Sequence, residues 1–247
     1  APVGRSIMEF YNMIIEYEAR SVVLLASYKD LNSDPYYPTD VHFGKYVSTF
    51  LFKQKELRVT SEKKGPHDTI EREKLTFEVR SDSLGPYSFM HYYVPTWSDF
   101  ATPSVFRPKN FQFPLTMLVN ELVDGNDKPI VINCYDGTGP SGTLALAIEI
   151  VRAVLDGQSV NPVEIGQQIR TARDGAIGSA TNFVFAIYLA MKCLERRLSP
   201  INFQITNFVA KYEAKMQDLV QEELKKGATE KSVTDVFTKT LSPWSMI

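Results

Sequence analysis

The chain has 247 residues, 44% of them apolar and 23% charged, enough for a sizeable core and too hydrophobic for wholesale disorder. Its 27 basic and 29 acidic residues leave a net charge of −2, which gives no electrostatic case for nucleic acid or an anionic membrane surface. With 3 histidines and 2 cysteines there is no zinc-ligand constellation; the cysteines read as free thiols of a reducing compartment, with one disulfide left open.

In chain order, Ser6 to Glu18 reads as a helix, with Ile7, Phe10, Tyr11, Ile14 and Ile15 at helical spacing and Ser6 able to cap with Glu9. Ser21 to Ala26 is a short apolar strand suited to burial on both faces. A turn follows at Asp34-Pro35-Tyr36-Tyr37-Pro38. Strand patterns then dominate at Tyr46 to Phe52, Leu57 to Glu62, Leu75 to Arg80 and Tyr87 to Tyr93. Hairpin loops are expected at Gly65-Pro66 and Ser81 to Gly85. Prolines at 103, 108 and 114 predict a long loop before a helix from Leu115 to Val123. A turn at Asp124 to Asp127 leads into the strand Ile130 to Asn133.

Helices are expected at Ser141 to Leu155, with a stripe of Leu144, Ile148, Val151 and Leu155, then at Asn161 to Ala172 and Ala180 to Arg197. Cys193 falls among apolar neighbours in the last of these, as a core residue. Ile205 to Leu224 is strongly amphipathic, carrying Ile205, Phe208, Val209, Tyr212, Met216, Leu219 and Leu224 on one face until Gly227 ends it. Strands and helices alternate without a strict βαβ rhythm, so the fold class is α/β, a mixed twisted sheet flanked by helices. No uninterrupted apolar span of transmembrane length and no signal peptide is visible; the start at Ala1 reads as a fragment boundary, which leaves an upstream anchor open.

The chemistry concentrates at 133–143, Asn-Cys-Tyr-Asp-Gly-Thr-Gly-Pro-Ser-Gly-Thr, directly after the apolar run Pro129 to Ile132. A strand that feeds a cysteine, a glycine-bearing loop and then a helix is how a thiolate nucleophile is set in an anion-binding nest. This loop nevertheless has no Arg or Lys, and it contains Pro140 and Asp136.

In this order and setting the chain resembles the tyrosine-specific protein tyrosine phosphatases, from Ala1 to about Arg197. Their signature, His-Cys, five residues, Arg, then Ser or Thr, corresponds to Asn133-Cys134, then Tyr135, Asp136, Gly137, Thr138 and Gly139, then Pro140-Ser141. Their Trp-Pro-Asp acid loop corresponds to Trp97-Ser98-Asp99. Glu9-Phe10-Tyr11, Val23-Leu24-Leu25 and Tyr36-Tyr37-Pro38 match earlier landmarks, and Arg170 to Gly178 matches Arg-x-x-Arg-Pro-Gly-Met-Val-Gln. The family's first several dozen residues have no counterpart, including the tyrosine loop that stacks on phosphotyrosine. The implied domains are 1–200, phosphatase-like with its N-terminal part missing, and 201–247, a helical extension packed on or beside it.

The resemblance casts Cys134 as the nucleophile, Asp99 as the general acid and Ser141 as the hydroxyl beside the cysteine. Pro140 replaces the clamping arginine, Gly178 the water-positioning glutamine, Asn182 a second glutamine and Asn133 the loop histidine. Losing the arginine removes two charge-assisted bonds, about 3–6 kcal/mol of transition-state stabilisation. That is on the order of two to four decades in rate. Proline also removes a backbone N–H and fixes φ, so a disturbed nest is expected. Arg170 and Arg173 are expected to anchor the loop by carbonyl or carboxylate contacts.

The resemblance with these replacements implies a pseudophosphatase: a regulatory binding module in the cytoplasm, with membrane association left to parts outside this chain. Cys134 to Ser141, Trp97, Asp99 and Asn182 form its recognition surface, with no cofactor or metal. The implied partner is a protein, with a tyrosine-phosphorylated kinase as the candidate, as inactive members of the family bind. The alternatives are a weak residual phosphatase using Cys134 and Asp99, and a purely structural scaffold.

Overall fold

The structure, a computed structural model, describes residues 2, 6–26, 36–37, 45–52, 55–67, 70–79, 86–94, 97, 108–124, 127–198 and 203–225, with backbone alone over most of 45–79 and at 108–113, 216 and 219–224. Its elements are α1 (Ser6–Glu16), β1 (Ser21–Leu25), β2 (Lys45–Phe52), β3 (Lys55–His67), β4 (Ile70–Val79), β5 (Tyr87–Val94), α2 (Pro108–Asp124), β6 (Ile130–Cys134), α3 (Gly139–Leu155), α4 (Pro162–Ala172), α5 (Ala180–Arg197) and α6 (Phe203–Lys225). The chain resolves into two compact units, residues 1–96 with 126–136 and residues 97–125 with 137–247.

The first unit holds a mixed six-stranded sheet in the order β2-β3-β4-β5-β1-β6. β2, β3, β4 and β5 are antiparallel to one another in succession, while β1 pairs in parallel with both β5 and β6. All residues of β1 are buried, which its continuous apolar run requires of a strand covered on both faces. α1 lays Ile7, Met8, Tyr11 and Ile14 into a core with Val22, Leu24, Phe89 and Tyr93. Aromatic rings fill it, with Tyr11 6.3 Å from Phe89 and Tyr37 4.4 Å from His91, centroid to centroid.

Two hydrogen bonds thread this core. The Tyr11 hydroxyl donates to the Tyr36 carbonyl at 2.7 Å, and the Tyr36 hydroxyl lies 2.8 Å from His91 Nε2. Tyr11→Phe removes the first of these and should cost about 1–2 kcal/mol in urea unfolding, since a buried bond has no water to replace it. An unchanged midpoint would show that the bond contributes nothing.

In the second unit, α5 packs against α2, α3 and α6. Arg197 of α5 donates from Nε to Asn120 Oδ1 of α2 at 2.8 Å and pairs with Asp124. α6 stacks Tyr212 on Tyr188 of α5 at 4.3 Å, and Lys192 bridges to Glu213 at 3.0 Å. Cys193 is fully buried, its thiol directed at the Thr116 carbonyl, and burial pushes its pKa up to about 12.

Several expectations need correction. β3 runs through Gly65-Pro66 to His67, with a bulge between Lys63 and Gly65, where a loop was expected. Beyond Glu62 no described residue pairs with β3 on the β2 side, so Pro66 can lie there without breaking a described ladder bond. α2 starts at Pro108 and carries Pro114 inside it, where a loop was expected. The missing N–H is offset by burial of Leu115, Leu118, Val119 and Leu122 in the following turns. On α3, Leu144, Ile148 and Val151 are buried but Leu155 is 40% exposed, because the helix ends there. Phe208 of α6 is likewise surface-exposed, while Val209 and Tyr212 are buried. The turn residues 34, 35 and 38, the hairpin loop at 81–85 and Gly227 lie outside the described residues, as do the side chains of Met216, Leu219 and Leu224.

Candidate functional site

Cys134 ends β6, opposite Leu25 of the parallel strand β1. Its place at the carboxyl end of a parallel strand is where α/β folds build ligand sites. The residue is buried, and its Sγ lies 3.8 Å from Asp136 Oδ1, with the thiol as donor. Asp136 thus directs its carboxylate at the cysteine, where a nucleophilic thiolate and a phosphate dianion would both be repelled. Tyr135 between them is 56% exposed. Just before the cysteine, Asn133 buries both its side-chain O and N with no hydrogen-bond partner among the described residues.

The remainder of the loop belongs to the second unit. Gly137 takes φ +78°, a conformation that disfavours a Cβ, and Thr138 is the N-cap residue of α3, with no side-chain capping bond to its first turn. Gly139 and Pro140 form the first two positions of α3. There a proline is compatible with the helix, because its φ suits the first turn and its N–H would have no intrahelical acceptor. The helix start is regular with proline there. What Pro140 removes is one donor and the guanidinium.

The segment after α4 is clamped to this helix start. Arg173 donates from Nε to the Gly137 carbonyl at 2.7 Å, the anchoring role expected of it. The Ile177 N–H donates to the Thr138 carbonyl at 2.9 Å. With these carbonyls held on the 173–177 side, the loop backbone is fixed from one direction. Ile177 itself is buried at φ +75°. A β-branched residue in that region costs on the order of 1–3 kcal/mol, and it is held by the turn in which Gly178 N–H donates to the Gly175 carbonyl.

Gly178 follows at φ +67°, and a Cβ there would lie 3.3 Å from Gly139 Cα and 3.4 Å from Asn182 Nδ2. Gly178 and Asn182 therefore lie together beside the start of α3. No side chain reaches from 178 toward a water. Ser141 is buried in the first turn of α3, and Thr143 donates back to the Gly139 carbonyl at 2.8 Å. Trp97 is buried edge-on against Phe185 at 5.8 Å, a packing role; Asp99 lies outside the described residues. The sequence reading missed Gly142 and Ile177. The only prior signal was a glycine inside a helical pattern, which marks close backbone approach.

Among the described residues, no helix is long and apolar enough to cross a membrane, and no His, Cys, Asp or Glu group could hold a metal ion. Both cysteines are free and buried.

A family model described as protein-tyrosine phosphatase matches residues 1–192. Receptor-type tyrosine-protein phosphatase-like N of Bos taurus is 23% identical over 192 residues, which covers 75% of this chain and 18% of that protein. Tyrosine-protein phosphatase non-receptor type 2 of Rattus norvegicus is 26% identical over 194 residues, 77% of this chain and 44% of that one. The chain therefore spans less than half the length of these curated relatives. The solved Trypanosoma brucei protein tyrosine phosphatase TbPTP1 superposes with a TM-score of 0.65 at 16% identity, covering 85% of this chain and 70% of its own. The catalytic domain of human protein tyrosine phosphatase non-receptor type 18 gives 0.61 at 14% identity, covering 78% and 67%. At these identities the solved structures establish the fold, a mixed α/β arrangement of the same type.

Proposed function

The chain belongs to the protein-tyrosine phosphatase family, and from that premise we propose that it is a degenerate member, a pseudophosphatase that has exchanged turnover for regulatory protein binding. The observation that carries the reading is Pro140 at the second position of α3, where the arginine clamp would have to originate. Supporting it, Asp136 confronts the Cys134 thiol, and Gly178 offers no side chain to position a hydrolytic water. Preorganised charge at the transferring phosphoryl group supplies most of the transition-state stabilisation in such chemistry, and here that charge is missing or reversed in sign.

The proposed ligand is a phosphotyrosine-bearing protein, with a kinase as the candidate, met in the cytoplasm. Human non-receptor type 18 has been solved with HER2 phosphopeptides, which supports this ligand class for the fold. Residues 1–200 form the phosphatase-like domain in this reading and 201–247 its helical extension.

With a chromogenic aryl phosphate, the protein should turn over substrate no faster than its Cys134→Ser variant. Turnover that disappears with that substitution sinks the reading. Calorimetric titration with phosphotyrosine peptides and unphosphorylated controls tests the ligand, and equal binding of both removes the phosphotyrosine component. Pro140→Arg combined with Asp136→Ala should recover phosphate affinity by about 10–100-fold while leaving turnover poor, because Gly178 is unchanged.

A further inference from the structure

No further inference is drawn: the strongest candidate, the aromatic patch on α6 where Phe203 and Phe208 lie exposed beside the Tyr212–Tyr188 stack, is an apolar helix face, and nothing among the described residues shows what covers it.

Discussion

Lowering the pH from 7 to 4 should cost this protein about 3 kcal/mol of stability through His91 alone. The ring is fully buried on β5 between Tyr36 and Tyr37, and burial lowers its pKa from 6.5 to about 3. Its Nε2 is engaged by the Tyr36 hydroxyl, and its Nδ1 has no partner among the described residues, so nothing there would receive a second proton. In the unfolded chain the same imidazole binds a proton below its ordinary value of 6.5. Across the window from 6.5 down to 3, the unfolded state therefore holds more protons than the folded one, and stability falls as pH falls. The slope is about 1.4 kcal/mol per pH unit, against none from this group above 7.

Urea unfolding at pH 7, 6, 5 and 4, for the protein and for His91→Gln, isolates the effect. Carboxylates titrating at the acid end are common to both proteins and drop out of the difference. The variant should be less stable at pH 7 and lose stability more slowly on acidification. Parallel slopes would show that His91 is not held neutral by burial.

Gly142→Ala should cost at least about 3 kcal/mol, beyond the ordinary range for added volume. A Cβ at 142 would lie 2.3 Å from the Ile177 N, 3.1 Å from its Cα and 3.2 Å from the Ala176 carbonyl carbon. All of these are backbone atoms, so no side chain can swing aside. The Ile177 N–H is also committed to the Thr138 carbonyl, and the residue already carries φ +75°. Relief must therefore come from withdrawing the 173–178 segment from α3, which also releases the Gly137 carbonyl from Arg173.

Gly157→Ala is the comparison. That glycine has φ +71° but nothing within 4 Å of its absent Cβ, so its replacement should cost about 1 kcal/mol from backbone conformation alone. If chemical denaturation finds the two substitutions equal, the close approach of the two segments is wrong.

Much of the local structure was readable from periodicity. α5 spans the predicted Ala180 to Arg197, and α1, β1, β5, β6 and α4 fall within a few residues of their predicted bounds. The failures share a cause. Gly65-Pro66 and Pro114 are strong local breakers, and both were overruled because their missing hydrogen bonds fell where the fold could absorb them. Leu155 and Phe208 matched an apolar stripe but lie exposed, because a periodic pattern does not say where a neighbouring element stops covering it.

What the sequence by itself determined is the available chemistry. Pro140 has no guanidinium and Gly178 no amide in any fold, and Asn133-Cys134 after an apolar strand places a thiol there whatever surrounds it. These are covalent facts, legible one residue at a time. Only the tertiary structure decided that Pro140 sits harmlessly in the first turn of α3, that the Asp136 carboxylate reaches the Cys134 thiol, and that Gly142 and Ile177 lock the loop from behind. The reason is separation along the chain: Arg173 and Gly137 are 36 residues apart. Periodicity and turn chemistry report only on neighbours, so contacts of that range are written in the packing.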